Sequence, residues 1–193
     1  MGKQIHLGKI ERLFDKSPVV EFKSIERIIG KKSYSKLLIS NLMRKGKIKK
    51  IGKGVYTKHP ESSLAVFGFK PAYLGLQSAL SFHGLWEQET IPVILTTKKV
   101  RRGIREVMGS NILVRNIDRK YFFGFGLFKE GEFYLPYSDL EKTFIDMVVF
   151  NQPLDDDVLK EIQKKLDIKK LKNYLKKYNL VLRKKVEKTL NKK

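Results

Sequence analysis

The chain has 193 residues with 41 Lys+Arg against 20 Asp+Glu, a formal charge of +21, and 41% hydrophobic residues. That apolar content is enough to bury a core in one or two small domains, which excludes wholesale disorder. The lack of cysteine excludes a disulfide framework, a thiolate nucleophile and Cys-based metal centres.

The charge is segregated. Residues 1–60 carry 16 basic and 4 acidic side chains, residues 61–150 carry 11 and 10, and residues 151–193 carry 14 and 6. A basic module on a neutral body attracts phosphate backbones through counterion release; a Lys-rich soluble surface is the bland alternative. The longest uncharged stretch, Pro71 to Trp86, is too short to span a bilayer and is broken by Gln77, Ser78, Ser81 and His83. The charged N-terminal segment lacks a signal-peptide apolar block, and His6 stands where a myristoylation signal needs Ser or Thr, so a cytoplasmic protein without a membrane anchor is expected.

In chain order, Ile5, Leu7, Ile10, Leu13 and Phe14 predict a first helix ended by Ser17-Pro18, followed by a short strand, Val20-Glu21-Phe22. Ser24 is placed to cap a second helix that stops at Gly30. Ser33 is placed to cap a third running to about Lys45, with Leu38, Ile39, Leu42 and Met43 inward and Gly46 as its stop. Ile48 and Ile51, then Val55 and Tyr56, bracket Gly52-Lys53-Gly54 as a hairpin. That order predicts a winged helix-turn-helix, in which the third helix enters the major groove and the hairpin wing rests on the backbone. The candidate DNA-contacting residues are Lys32, Ser33, Tyr34, Lys36, Ser40 and Arg44 on the helix and Lys49, Lys50 and Lys53 on the wing. A protein-docking module with a merely solvated basic face is the alternative.

Residues 58–70 are expected to be a hinge. Beyond it, Pro71 to Gly84 has helical spacing through Tyr73, Leu76, Leu80 and His83, and Ile91 to Thr97 reads as a strand with Pro92 keeping its start at an edge. Asn111 to Ile117, Tyr121 to Leu127 and Glu132 to Leu135 are further strand-like runs. Ser138 and Glu141 have capping-box spacing before a buried helix containing Leu140, Phe144, Ile145, Met147 and Val148. Short helices follow from Asp155. The expectation is therefore an α+β protein: a winged helix-turn-helix over 1–60, then a mixed α/β domain over 61–193, α/β to about residue 150 with a helical tail over 154–193.

Catalytic motifs are weak. His6, His59 and His83 lack metal-ligand spacing, and Asp155-Asp156-Asp157 at a helix start is accounted for by the helix dipole. Gly46, Gly52 and Lys53 miss the phosphate-loop spacing, and Gly124 and Gly126 lack the third glycine of a dinucleotide fingerprint. No catalytic residue, metal or cofactor is expected. Thr96 to Arg102, with Lys98, Lys99, Arg101 and Arg102 just past a strand end, reads either as an anion-binding loop or as a solvated turn. A nuclease-like second domain using Asp118, Lys129, Glu130 and Glu132 is the alternative enzyme reading, although these residues have no recognised spacing.

Two stretches resemble the AbiEi family, antitoxins and transcriptional regulators of type IV toxin-antitoxin (abortive infection) systems. One is LMRKGKIKKIGKGVYT over Leu42–Thr57, a pattern many winged helices share. The other, more specific, is YLGLQSALSFHGLWEQETIPVILTTKKVRR over Tyr73–Arg102, followed by YFFGF and SDLEKTFIDMV. The resemblance implies an N-terminal domain that binds double-stranded DNA at its own promoter, and a C-terminal antitoxin domain that counteracts a nucleotidyltransferase-like toxin in phage defence without a stable complex. Within it, Lys98, Lys99, Arg101 and Arg102 match the family's basic stretch. Stand-alone regulators without a toxin share the architecture.

Overall fold

The computed structural model describes residues 2–192, with side chains from His6 onward. Its fold is mixed α+β, and the chain divides into two compact units: Met1–Phe69 with Arg105–Ile112, and Lys70–Ile104 with Leu113–Lys193.

In the first unit, α1 (Gly2–Lys16) leads through β1 (Val20–Glu21) to α2 (Phe22–Ile29), α3 (Lys32–Arg44) and a hairpin of β2 (Lys49–Gly52) and β3 (Val55–Thr57). The three strands pair antiparallel in the order β1-β3-β2. Ile10 and Phe14, four residues apart on α1, close over Val20, Ile25, Ile39, Leu42, Ile48 and Tyr56 to form the core. Gly30, at φ 76°, supplies the left-handed residue that ends α2.

The expected caps differ. α2 begins two residues before Ser24, its first amide fixed by donation from Phe22 N to Gly54 O at 2.7 Å. α3 begins at Lys32 with no side-chain cap; Ser33 lies inside it, and Ser35 Oγ donates to Lys31 O. Met43, expected inward, is 39% exposed.

The first unit also extends beyond residue 60. The expected hinge contains a 3-10 helix, Ser62–Phe69, that buries Leu64, Ala65, Val66 and Phe69. Gly68 packs so tightly on β2 that a Cβ there would stand 2.1 Å from Ile51 O. The 105–112 segment contributes an Arg105 guanidinium over the Phe69 ring and Met108 O, which accepts from Lys49 Nζ at 3.4 Å.

A six-stranded mixed sheet has the order β6-β7-β5-β4-β9-β8. Its strands are β4 (Ala72–Leu74), β5 (Val93–Thr96), β6 (Gly103–Val107), β7 (Ser110–Asn116), β8 (Phe125–Glu130) and β9 (Phe133–Ser138). β4 runs antiparallel to β5 and parallel to β9; β5 runs parallel to β7. Helices α4 (Gln77–Phe82), α5 (Leu140–Val149), α6 (Asp156–Lys165), α7 (Ile168–Leu175) and α8 (Leu180–Leu190) complete the chain. The second unit's core joins Tyr73, Leu76, Leu80 and Leu95 to Phe144, Ile145, Met147, Leu159, Leu171 and Val186.

Several expectations are corrected here. Pro71 to Gly84 is not one helix: Ala72–Leu74 is a strand sealed between β5 and β9, and Leu76 at φ 54° turns the chain into the six-residue α4. A fully buried strand loses the period-two alternation that distinguishes it from a helix. Likewise β5 is interior, so Pro92 marks its start but no sheet edge. Tyr121 to Leu127 divides into a 3-10 turn, Arg119–Tyr121, and the beginning of β8. At α5 the cap is Asp139, which accepts from Lys142 N at 2.9 Å; Ser138 is buried against Thr143 Oγ1, and Glu141 accepts from Asp167 N.

Candidate nucleic-acid interface

Successive residues of an α-helix are rotated by about 100°, which places Lys36, Ser40, Met43 and Arg44 of α3 within a single arc of about 100°. Opposite them, β2 presents Lys50, whose partner across the hairpin is Tyr56. With Phe22 and Ile39 these side chains line an open groove of about 570 Å³. The groove has an apolar floor and a cationic rim, and Ser40 supplies a neutral hydroxyl between Lys36 and Arg44. Lys36, Arg44, Lys50 and Lys53 enter no ion pair among the described residues. Among the described residues Arg44 donates only to Asn41 Oδ1, at 3.1 Å, so its guanidinium keeps donors for another acceptor.

The remaining predicted residues divide. Lys32 and Ser33 are exposed at the start of α3, and Lys53 is exposed in the hairpin turn. Tyr34 is half-buried, with its ring edge-on to His6 at 6.2 Å. Lys49 does not join the groove: neighbours on a strand point to opposite faces, and its ammonium is directed to Met108 O. Sequence reasoning missed Phe22, Met43 and Tyr56 as groove residues. Met43 had a signal, since its helical angle is that of the polar face.

In the second unit, the Thr96–Arg102 segment leaves the C-terminal end of β5. Thr96 Oγ1 donates to Pro71 O and accepts from Lys98 N, and Asn116 Nδ2 donates to Val100 O, so both ends of the loop are anchored. Lys98, Lys99, Arg101 and Arg102 are all exposed. Lys98 and Lys99 line a cavity of about 940 Å³ that also takes in Arg119, while Arg101 and Arg102 lead on towards β6 and are not part of its wall.

Sequence reasoning also missed a buried polar cluster on α5. Lys142, wholly buried, pairs with Asp146 one turn later and donates to Tyr178 OH at 3.1 Å; Asp146 Oδ2 accepts from Tyr73 OH at 2.7 Å. The ammonium lies 5.3 Å from the Phe123 ring centre and 5.9 Å from those of Tyr73 and Tyr178. Burial lowers the Lys142 pKa and raises that of Asp146, with their pairing acting against both shifts. A second layer links Lys170 to Asp139 and Glu141, and Tyr174 OH to Asp139 Oδ2. Sealed from water, the Lys142–Asp146 pair joins α5, β4 and the helical tail structurally.

Two of the alternative carboxylates have other partners. Asp118 accepts from Lys120 N, and Glu130 accepts from Tyr137 OH at 2.5 Å. Lys129 and Glu132 are exposed at and beside the end of β8. Among the described residues no group of three or more His, Cys, Asp or Glu side chains is placed to hold a metal ion. His83, at the end of α4, is 2.9 Å from Ser138 O through Nε2, and Asp155 to Asp157 open α6.

No helix among the described residues is long and apolar enough to cross a membrane. Comparison with models of known families finds no match, and comparison with curated proteins finds none either. Among solved structures the chain is similar to the RV2827C protein from Mycobacterium tuberculosis, at 13% identity and a TM-score of 0.62, over 92% of this chain and 72% of that one. That likeness is one of fold.

Proposed function

We propose that the protein is a DNA-binding transcriptional regulator of the AbiEi type, its first unit a winged helix-turn-helix and its second an antitoxin domain. One observation carries the DNA-binding part: Lys36, Ser40 and Arg44 of α3 and Lys50 of the hairpin converge on one open groove, with the cations unpaired among the described residues. Cations at a groove rim position a phosphate backbone, and Arg and Ser on the same helix face are suited to base edges. Lys53 at the hairpin tip extends the backbone contact.

On this reading the protein represses its own promoter in the cytoplasm, has no catalytic activity of its own, and counteracts a nucleotidyltransferase-like toxin without a stable complex. A reporter driven by the chain's own upstream region tests repression. Wild type should silence it, the Lys36→Ala/Arg44→Ala/Lys50→Ala variant should not, and equal expression with both would contradict the reading. Co-expression with a neighbouring nucleotidyltransferase gene tests the antitoxin half: growth rescue by that same groove variant supports it, and failure of the wild type to rescue removes it.

A further inference from the structure

We infer that the cavity beside the Thr97–Lys99 loop binds a nucleotide, its phosphate held by Lys98, Lys99 and Arg119 and its base laid against Phe122. The inference rests on reading the Lys98–Arg102 loop as a working surface, and it is independent of duplex binding by the first unit.

At about 940 Å³ the cavity lies near the top of the roughly 300–1,000 Å³ range of small-ligand sites. Its wall is chemically divided. Lys98 and Lys99 come from the loop after β5 and Arg119 from the turn after β7, so three cations from two segments border one space. None is in an ion pair among the described residues. Convergent ammonium and guanidinium groups of this kind recognise phosphate.

A phosphate alone leaves the rest of the wall unexplained. Pro71, Ile117 and Phe122 give it an apolar side suited to a flat ring, and the Phe122 ring is held by Tyr73 and Phe125 at 5.5 and 4.7 Å between centroids. Stacking on such a ring is how single bases are held without sequence preference. Asp118, also in the wall, is fixed by Lys120 N. A carboxylate among cations opposes a bare anion but accepts from a ribose hydroxyl or an exocyclic amine, which a nucleotide supplies. Anchoring of the loop by Thr96 and Asn116 pre-forms this side of the cavity, limiting the entropy lost on binding.

The same chemistry is offered by a free nucleotide and by the end of a single strand. Residue-resolved NMR on the full-length protein separates the two, with titrations of inorganic phosphate, a nucleoside monophosphate and a single-stranded tetranucleotide. Saturable shifts at the amides of Thr97, Lys98 and Arg119 to Phe122 are expected with both nucleotide probes. Tighter binding of the tetranucleotide identifies a strand end, and equal affinity identifies a free nucleotide. Lys98→Ala/Lys99→Ala/Arg119→Ala alters exposed side chains and should lower affinity by roughly tenfold or more. Phe122→Leu keeps an apolar wall without the ring; it should weaken nucleotide binding and leave phosphate binding unchanged. Phosphate binding as tightly as the nucleotides, or shifts confined to α3 and the hairpin, would overturn the inference. The latter result would leave duplex binding standing, whereas cavity shifts without operator binding would remove the regulator reading alone.

Discussion

Lys142 and Asp146 stand one helical turn apart on α5 and neutralise each other with both side chains withdrawn from water, at 0% and 1% exposure. Burial of two charges is costly, and the compensation here is a further hydrogen bond at each end of the pair: Tyr178 OH for the ammonium and Tyr73 OH for the carboxylate. Removal of one partner should therefore cost far more than replacement of both. Asp146→Ala is expected to destabilise the second unit by about 3–5 kcal/mol, with Lys142→Met/Asp146→Leu lying much closer to wild type. Urea unfolding checks this, and near-equal midpoints for Asp146→Ala and wild type would contradict it.

Two glycines give opposite expectations for the same substitution. At Gly68 an added Cβ would meet the backbone oxygen of Ile51 at 2.1 Å, which cannot swing aside as a side chain can, so Gly68→Ala should cost at least about 1–3 kcal/mol and loosen the hairpin. Gly8 lies within α1 with nothing within 4 Å of its would-be Cβ, and Gly8→Ala should stabilise by about 0.5–1 kcal/mol. Thermal melts of the two variants should move in opposite directions.

The difference between these glycines is invisible in the sequence, although both lie in the first unit, whose elements were otherwise more legible than those of the second. The first unit's helices have exposed faces, so α1 and α3 keep a 3.6-residue period, and Gly30 and Gly54 punctuate as left-handed residues do. In the second unit, β4 and β5 are buried throughout and carry no alternation, so Tyr73 and Leu74 fit either element. β6 was missed because its apolar residues are sparse and Ile104 points to solvent. The basic face of α3 was readable from residue spacing. The Lys142–Asp146 cluster was not, because an i,i+4 Lys and Asp resembles a surface pair until the rings of Tyr73 and Tyr178 are seen to cover it.

Alkaline titration should expose the tyrosine framework. Burial, followed by a hydrogen bond to Asp139, pushes Tyr174 up to about 12 from 10.0; burial also raises Tyr73, Tyr137 and Tyr178. A tyrosine whose folded pKa exceeds its unfolded value contributes stability that is complete below about pH 10 and is lost as the pH climbs through the folded value. Absorbance at 295 nm should rise first for exposed tyrosines and then in a cooperative step that coincides with loss of helical signal. A single non-cooperative titration of all eight tyrosines near pH 10 would contradict this packing.

The central claim is that the groove between α3 and the hairpin reads DNA, and fluorescence anisotropy with the chain's own promoter and a scrambled duplex, across a salt series, tests it most directly. Lys53→Ala should weaken both duplexes alike and reduce the log-log salt slope by about 0.9. Arg44→Ala or Ser40→Ala should cost ~1–3 kcal/mol on the promoter and much less on the scrambled duplex. Equal affinity of the wild type for promoter and scrambled DNA at moderate salt, unchanged by Arg44→Ala, would contradict the account.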